Sequence, residues 1–430
     1  MSKLEQQADW SLSQWLEYLE HQHHKEIDLS LERISRVANA LCADRPGKIV
    51  ITVAGTNGKG STVRMLEEIL RAEGYSVGTY TSPHFIHYNE RVSVNGHALS
   101  DAEHCQAFAA VQAARGDTSL TYFEFGTLAA FWLLAQKALD FAILEIGLGG
   151  RLDAVNVIEP DISIVTAVGV DHVEFLGHDR EQIGFEKAGI YRAGKPAICG
   201  DPNPPERLVA HAQQLGANLK MVDRDFRYII SDDLSSWQFN AGKWQLSGLP
   251  MPRLPLANAA TVLAALAELA HVPSVTSIHA GLTKAQLPGR LQVIDEQPLT
   301  VLDVAHNPHA AAYLAQQLQQ RWPGRPVRAV CGMLKDKDIV GTIASLANSI
   351  SYWYCASIES ARGLDAATLA AQVENVYAGD YSGQGGSPPI HSFTNVKSAY
   401  ESARADAKPG EIVLCFGSFL TIQAIYQLGG

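Results

Sequence analysis

The run Gly55-Thr56-Asn57-Gly58-Lys59-Gly60-Ser61 constrains this chain more than any other feature. It separates a short apolar run, Lys48 to Ala54, from a stretch, Ser61 to Glu73, whose Val63, Leu66, Ile69 and Leu70 share one helical face. Gly74 suits the end of that helix. A glycine-rich turn from strand to helix is the setting of a phosphate loop. Backbone N–H groups converge there, the helix N-terminus adds positive potential, and a lysine reaches phosphate oxygens. The spacing is G-x-x-G-K-G-S rather than the common G-x-x-x-x-G-K-[ST]. A tight turn with a surface lysine is the plainer alternative, and the strand–turn–helix context weighs against it.

The rest of the chain fits a parallel α/β sheet. Ser76 to Thr81, Asp140 to Ile146, Asp161 to Val168 and Pro196 to Cys199 read as strands, and Phe125 to Leu139 as an apolar helix. Near-continuous apolar strands belong to sheets covered on both faces. Asp201 to Leu254 alternates polar and apolar residues and reads as short antiparallel strands, before an Ala/Leu-rich helix over Pro255 to His271. Leu287-Pro288-Gly289-Arg290 breaks the pattern. A second series then follows, with strands at Leu299 to Val304, Pro326 to Cys331, Ser351 to Ala356 and Glu411 to Phe416, a helix at His309 to Arg321, and a surface loop at Tyr381 to Pro389. The expected architecture is α/β with two domains, 1–287 and 288–430. The first carries a mononucleotide-binding sheet with a small antiparallel addition, and the second a Rossmann-like sheet.

A length of 430 residues supports two cores. A net charge of −11 lowers the weight of a nucleic-acid partner. An anionic substrate would then need positive charge gathered locally. Six scattered cysteines without a C-x-x-C pair argue against a disulfide framework or a zinc site. Met1 to Glu20 lacks the layout of a signal peptide, and the longest apolar runs are too short to span a bilayer. The cytoplasm is the expected address.

Several residues invite chemistry on their own. Lys59 is placed to bind β- and γ-phosphate oxygens, and Ser61 and Thr62 to cap the helix behind it. Glu145 closes an apolar strand, where ligands of α/β sheets bind, and a buried carboxylate there needs a partner or a metal. A structural ion pair is its alternative. His172, after Asp171, reads as a core or supporting histidine, and Lys187 as an ordinary helix lysine. Asn258 reads as a polar residue at a helix start. Thr121-Tyr122-Phe123 offers an aromatic surface for a flat ring, with core packing preferred for Phe125.

Taken in order, these segments resemble the Mur ligase superfamily, and within it the folylpolyglutamate synthase family with its bifunctional bacterial members. Ala54 to Ser61 is similar to the family's phosphate loop, and Thr81-Ser82-Pro83-His84 to its second loop. Leu144 to Ala154, Val170-Asp171-His172, Glu186 to Ile190, Leu287 to Arg290, Asp303 to Pro308 and Gly332 to Asp338 continue the match. The resemblance implies an ATP-dependent ligase that adds L-glutamate to dihydropteroate and to reduced folates. Making that amide from a carboxylate requires a better leaving group, and an acyl phosphate formed from ATP supplies one.

By the same resemblance, Asn57, Gly58, Lys59, Gly60, Ser61, Asn258, Arg290 and Asp303 contact ATP, and His306 faces phosphate or the incoming glutamate. Glu145 bridges two Mg2+ ions, with Ser82 at one and His172 at the other, and Mn2+ as a substitute. Lys187 is carbamylated, which requires its neutral amine; Glu186 beside it would oppose that. Ile27 to Arg33 resembles the segment that contacts dihydropteroate, so Asp28, Leu29, Ser30 and Leu31 are expected to contact the folate, Ser30 replacing a common glycine; Thr121, Tyr122 and Phe123, with Leu152, Asp153 and Ala154, are expected to line the same pocket. Phe185 stands where a polar residue is expected. Closure of the second domain on the first would exclude water, and a monomer is expected. A folylpolyglutamate synthase alone, a ligase of peptidoglycan precursors and a nucleotide-binding regulatory module remain as alternatives. Gly60 and the Gly147 to Ala154 run speak against the second, and Glu145, His172 and Lys187 against the third.

Overall fold

A computed structural model describes residues 7, 9–23, 25, 27–379 and 387–428. Residues 381–386 of the expected surface loop lie outside that set. The chain forms two compact units, residues 1–286 and 287–430.

The first unit is built on an eight-stranded sheet. Its strands are β1 (Ile49–Ala54), β2 (Val77–Tyr80), β3 (Val92–Val94), β4 (His97–Ala98), β5 (Phe141–Glu145), β6 (Ile162–Val165), β7 (Pro196–Cys199) and β8 (Asn218–Met221). They lie in the order β4-β3-β2-β5-β1-β6-β7-β8. From β2 to β8 the strands pair in parallel; β3 and β4 add an antiparallel edge that the sequence reading did not identify. Central strands β1, β5 and β6 are almost wholly buried because helices cover both faces.

Some expectations need correction. The helix after the phosphate loop spans Lys59–Ala72 and starts two residues before the predicted Ser61. Gly58 is its N-cap with φ 88, so Ser61 and Thr62 sit inside the first turn and cap nothing. The apolar helix is Tyr122–Ala135, displaced toward the N-terminus because Thr121 and Glu124 form a capping box there. The predicted strand Asp161 to Val168 ends at Val165, and the following residues form a loop. Residues 201–254 are not all antiparallel. Helix Glu206–Leu215 leads into β8, which joins the main sheet in parallel. The antiparallel addition consists of β9 (Arg227–Ile230), β10 (Ser236–Ala241) and β11 (Trp244–Pro250).

The second unit has a six-stranded sheet in the order β12-β13-β17-β14-β15-β16. Its strands are β12 (Gln292–Glu296), β13 (Leu299–Leu302), β14 (Val327–Cys331), β15 (Tyr352–Ala356), β16 (Ile390–Phe393) and β17 (Ile412–Phe416). Only β12 runs antiparallel. β12 and β16 are edge strands that the hydrophobic pattern did not mark, because only partial burial is asked of them. Cys331, Cys355 and Cys415 are buried in the central strands as small apolar side chains.

Candidate functional site

The phosphate loop is held from two sides. Thr166, just after β6, donates its hydroxyl to the Asn57 carbonyl at 2.6 Å. Thr56 donates its hydroxyl to the Gly169 carbonyl and accepts from the Gly169 amide, both at 2.9 Å. A Cβ at Gly58 would stand 2.5 Å from the Asn258 side chain, and its φ of 88 favours glycine as well. Asn258 does not cap its own helix, whose N-cap is Pro255. It lies one turn in, buried, with its amide 3.5 Å from the Gly58 carbonyl. Lys59 folds back and donates to the carbonyls of Gly55 (3.0 Å) and Thr56 (3.4 Å). The helix N-terminus carries no side-chain cap, leaving its first amides to a ligand.

Glu145 ends β5 beside Val53 of β1, one residue short of the loop, and is 5% exposed. Ser82 follows β2, whose Tyr80 pairs with Leu144. His172 adopts φ 52 ahead of the short helix Val173–Leu176. Among the described residues no group of three His, Cys, Asp or Glu side chains forms a dedicated metal cage.

A small cavity is lined by Gly55, Lys59, Asp171, His172 and Lys187, among others. Lys187 is 3% exposed, and burial first, then the nearby charge of Lys59, brings its pKa down to about 7. Glu186 does not counter this shift. Its carboxylate turns to Arg151, with Oε1 2.9 Å from Nη2. Phe185 has a role that the sequence did not suggest: its ring faces the guanidinium groups of Arg151 (5.8 Å) and Arg207 (5.0 Å).

A larger cavity of about 760 Å³ adjoins the first and shares Gly147, Leu148 and His172 with it. Asp28, Leu29, Ser30, Thr121, Tyr122, Phe123, Leu152, Asp153, Ala154 and Ser82 all line it. Leu31 does not; it packs against the core at the start of helix Glu32–Leu41. Gly147 lies against the Phe123 ring so closely that no Cβ could fit. Phe125 is fully buried. Asp153 is 2% exposed and accepts from the amides of Leu148 (2.8 Å) and Val155 (2.9 Å). Burial raises its pKa to about 6 despite those bonds.

Arg33 closes the Ile27 to Arg33 segment that resembles the family's folate-contacting motif, but its partners, and Glu124, Arg91 and His23, were not read from the sequence. Arg33 joins Asp28 and Glu124, each at 2.9 Å, and Glu124 in turn accepts from the Thr121 amide at 2.8 Å. The loop at Asp28 is thereby tied to the start of helix Tyr122–Ala135. Arg91 and His23 also line the space. Sequence spacing does not show the Arg33–Glu124 and His23–Ser119 contacts, whose partners lie 91 and 96 residues apart.

In the second unit, Asp303 follows β13 and is 9% exposed. It accepts from the amides of Leu291 and Ala305 at 2.9 and 2.8 Å. Burial raises its pKa, while Arg290 works against that shift. Arg290 lies over the Phe419 ring at 5.7 Å, and the His306 Nδ1 is 2.9 Å from the Val304 carbonyl oxygen.

Residues 53–219 match the Mur ligase middle domain, and residues 289–419 the Mur ligase glutamate ligase domain. The dihydrofolate synthase/folylpolyglutamate synthase of Escherichia coli is 46% identical over 98% of this chain and 96% of its own length. Escherichia coli FolC in complex with DHPP and ADP superposes with a TM-score of 0.93, at 46% identity and 98% coverage of each chain. A bifunctional folylpolyglutamate synthase/dihydrofolate synthase with Mn, AMPPNP and L-glutamate bound has a TM-score of 0.90, with the same identity and coverage.

Proposed function

The chain belongs to the Mur ligase family, and from that premise we propose an ATP-dependent ligase that joins L-glutamate to dihydropteroate, giving dihydrofolate, and to reduced folates, giving folylpolyglutamates. The observation that carries this reading is the shared wall of Gly147, Leu148 and His172 between the phosphate-loop cavity and the large aromatic-lined one. A carboxylate held in the large cavity can meet a nucleotide phosphate at that wall.

The acceptor carboxylate oxygen attacks the γ-phosphorus of ATP, and ADP leaves. The glutamate amine then attacks the acyl carbon, inorganic phosphate leaves, and the amine gives up a proton. Both steps bring anions together, so positioning and neutralisation decide the rate. Lys59 exchanges its loop carbonyls for β- and γ-phosphate oxygens. The amides of Asn57 to Ser61 hold the phosphate chain, and Asn258 holds the nucleotide beside Gly58. A divalent cation, Mg2+ with Mn2+ as substitute, supplies charge neutralisation, and Ser82, Glu145 and His172 are the residues assigned to hold two such ions.

Lys187, neutral in a good fraction at pH 7.5 with its pKa of about 7, is suited to carbamylation. This turns a buried cation into an anion with two oxygens. Asp28 to Ser30, Thr121 to Phe123 and Leu152 to Ala154 hold the pterin and aminobenzoyl rings. Arg290 and Asp303 are assigned to the nucleotide and His306 to phosphate or glutamate, in a monomer of the cytoplasm. Among the described residues no helix is long and apolar enough to cross a membrane.

Purified protein given ATP, Mg2+, L-glutamate and dihydropteroate, with the products weighed by mass spectrometry, tests the reading. Dihydrofolate is expected. Nucleotide binding without glutamate-dependent ADP release would sink it.

A further inference from the structure

We propose that Arg91 recognises the carboxylate of a folate acceptor that does not react, and so sets the preference between folate and dihydropteroate. The proposal rests on the ligase reading above. Dihydropteroate has one carboxylate, which must face the phosphate. A folate ends in glutamate, so one carboxylate reacts and a second has to be accommodated elsewhere.

The walls of the large cavity are mostly hostile to that second anion. Asp28, Glu124 and Asp153 all line it. Arg33, the cation nearest two of them, is committed to Asp28 and Glu124. Lys25 also lines the cavity, but it is exposed and its charge is already solvated.

Arg91 differs from both cations. It is only 8% exposed and lines the cavity, and among the described residues no carboxylate forms an ion pair with it. Its Nε donates to His84 Nδ1 at 2.9 Å, and its guanidinium lies 5.2 Å from the Tyr88 ring centroid and 5.6 Å from that of Tyr122. His84 accepts that bond through Nδ1 and carries no carboxylate, so it brings no counter-charge. A buried guanidinium is costly until an anion pairs with it, and it binds carboxylates through two parallel N–H donors. The two tyrosines fix its plane, which limits the directions from which an anion can be received.

Two comparisons test the assignment. The first uses the wild-type protein and the mono-amide of tetrahydrofolate that retains the reacting carboxylate. Its KM should exceed that of tetrahydrofolate by about tenfold or more, the scale of a lost charge-assisted hydrogen bond. Equal KM values would overturn the proposal, and this arm needs no variant to fold. The second uses Arg91→Met. The ratio of kcat/KM for tetrahydrofolate to that for dihydropteroate should fall by about tenfold, and the variant should no longer distinguish acid from amide. Equal losses for both acceptors would overturn the proposal by making Arg91 a structural residue of the cavity. Failure of the wild-type protein to turn over either acceptor would overturn the ligase reading instead.

Discussion

Lys59 and Lys187 line one small cavity, where burial first and the Lys59 ammonium second hold the Lys187 pKa at about 7. Two lysines that disfavour each other's charge in one cavity suit the proposed binding of a triphosphate there. On the proposed reading, nucleotide would satisfy the first lysine, and conversion of the second to a carbamate would remove their repulsion.

Lys187 should therefore react with carbon dioxide. Protein equilibrated with 13C-bicarbonate near pH 8 should show a carbamate carbon by NMR, absent in Lys187→Met. A spectrum without that signal would exclude the modification. In carbon-dioxide-free buffer the unmodified lysine has a folded pKa below its unfolded value. Its stability contribution is then greatest above about pH 10.5 and is lost as pH falls toward about 7. Lys187→Met should be more stable than wild type by about 1–4 kcal/mol at pH 6.5, with the gap closing at pH 9.5 and above. Urea unfolding at the two pH values reads it.

Lys59→Ala should fold and lose about 10²-fold or more of glutamate-dependent ADP release, because Thr56 and Thr166 still hold the loop when the lysine's bonds to Gly55 and Thr56 are gone. An unchanged rate would remove the phosphate loop from the mechanism. Gly58→Ala acts differently: its Cβ would meet Asn258, and its φ is 88. Weaker ATP binding by calorimetry is expected, with modest loss of stability.

Asp153→Ala leaves the amides of Leu148 and Val155 without their acceptor. A loss of about 1–3 kcal/mol in urea unfolding is expected, together with a raised KM for dihydropteroate. The folded pKa of about 6 lies above the unfolded value of 3.8. The stability contribution is thus fully present below pH 3.8 and declines as pH rises through about 6. Wild type should therefore exceed the variant by more at pH 4.5 than at pH 7.5.

Arg33→Ala strands Glu124, whose side chain is 4% exposed, and frees the Asp28 loop. Because Arg33 itself is partly exposed, a cost of about 1–3 kcal/mol is expected, below that of a fully buried pair. The KM for dihydropteroate should rise while the KM for ATP holds. A parallel rise in both would mean that the pair supports the whole unit rather than the cavity wall.

Local features were legible in advance. The parallel strands β1, β5 and β7 showed as apolar runs, and the phosphate loop showed as glycines between a strand and an amphipathic stretch. Element starts were less legible. The helix at Tyr122 begins where Thr121 and Glu124 cap each other, a polar signal ahead of the apolar run. The short strands β3 and β4 and the edge strands β12 and β16 carry too little hydrophobic pattern to stand out.

Sequence alone determined the strand–loop–helix that can grip a triphosphate and the carboxylate at the end of a buried strand, since both follow from residue types a few positions apart. Tertiary structure decided what surrounds them. Asn258 reaches Gly58 across 200 residues, Arg33 reaches Glu124 across 91, and Glu186 turns away from Lys187 toward Arg151. The depressed pKa of Lys187 belongs to the same class of fact. It arises from desolvation and from charges brought close by folding, and neither is a property of the chain until the sheet and its helices have packed.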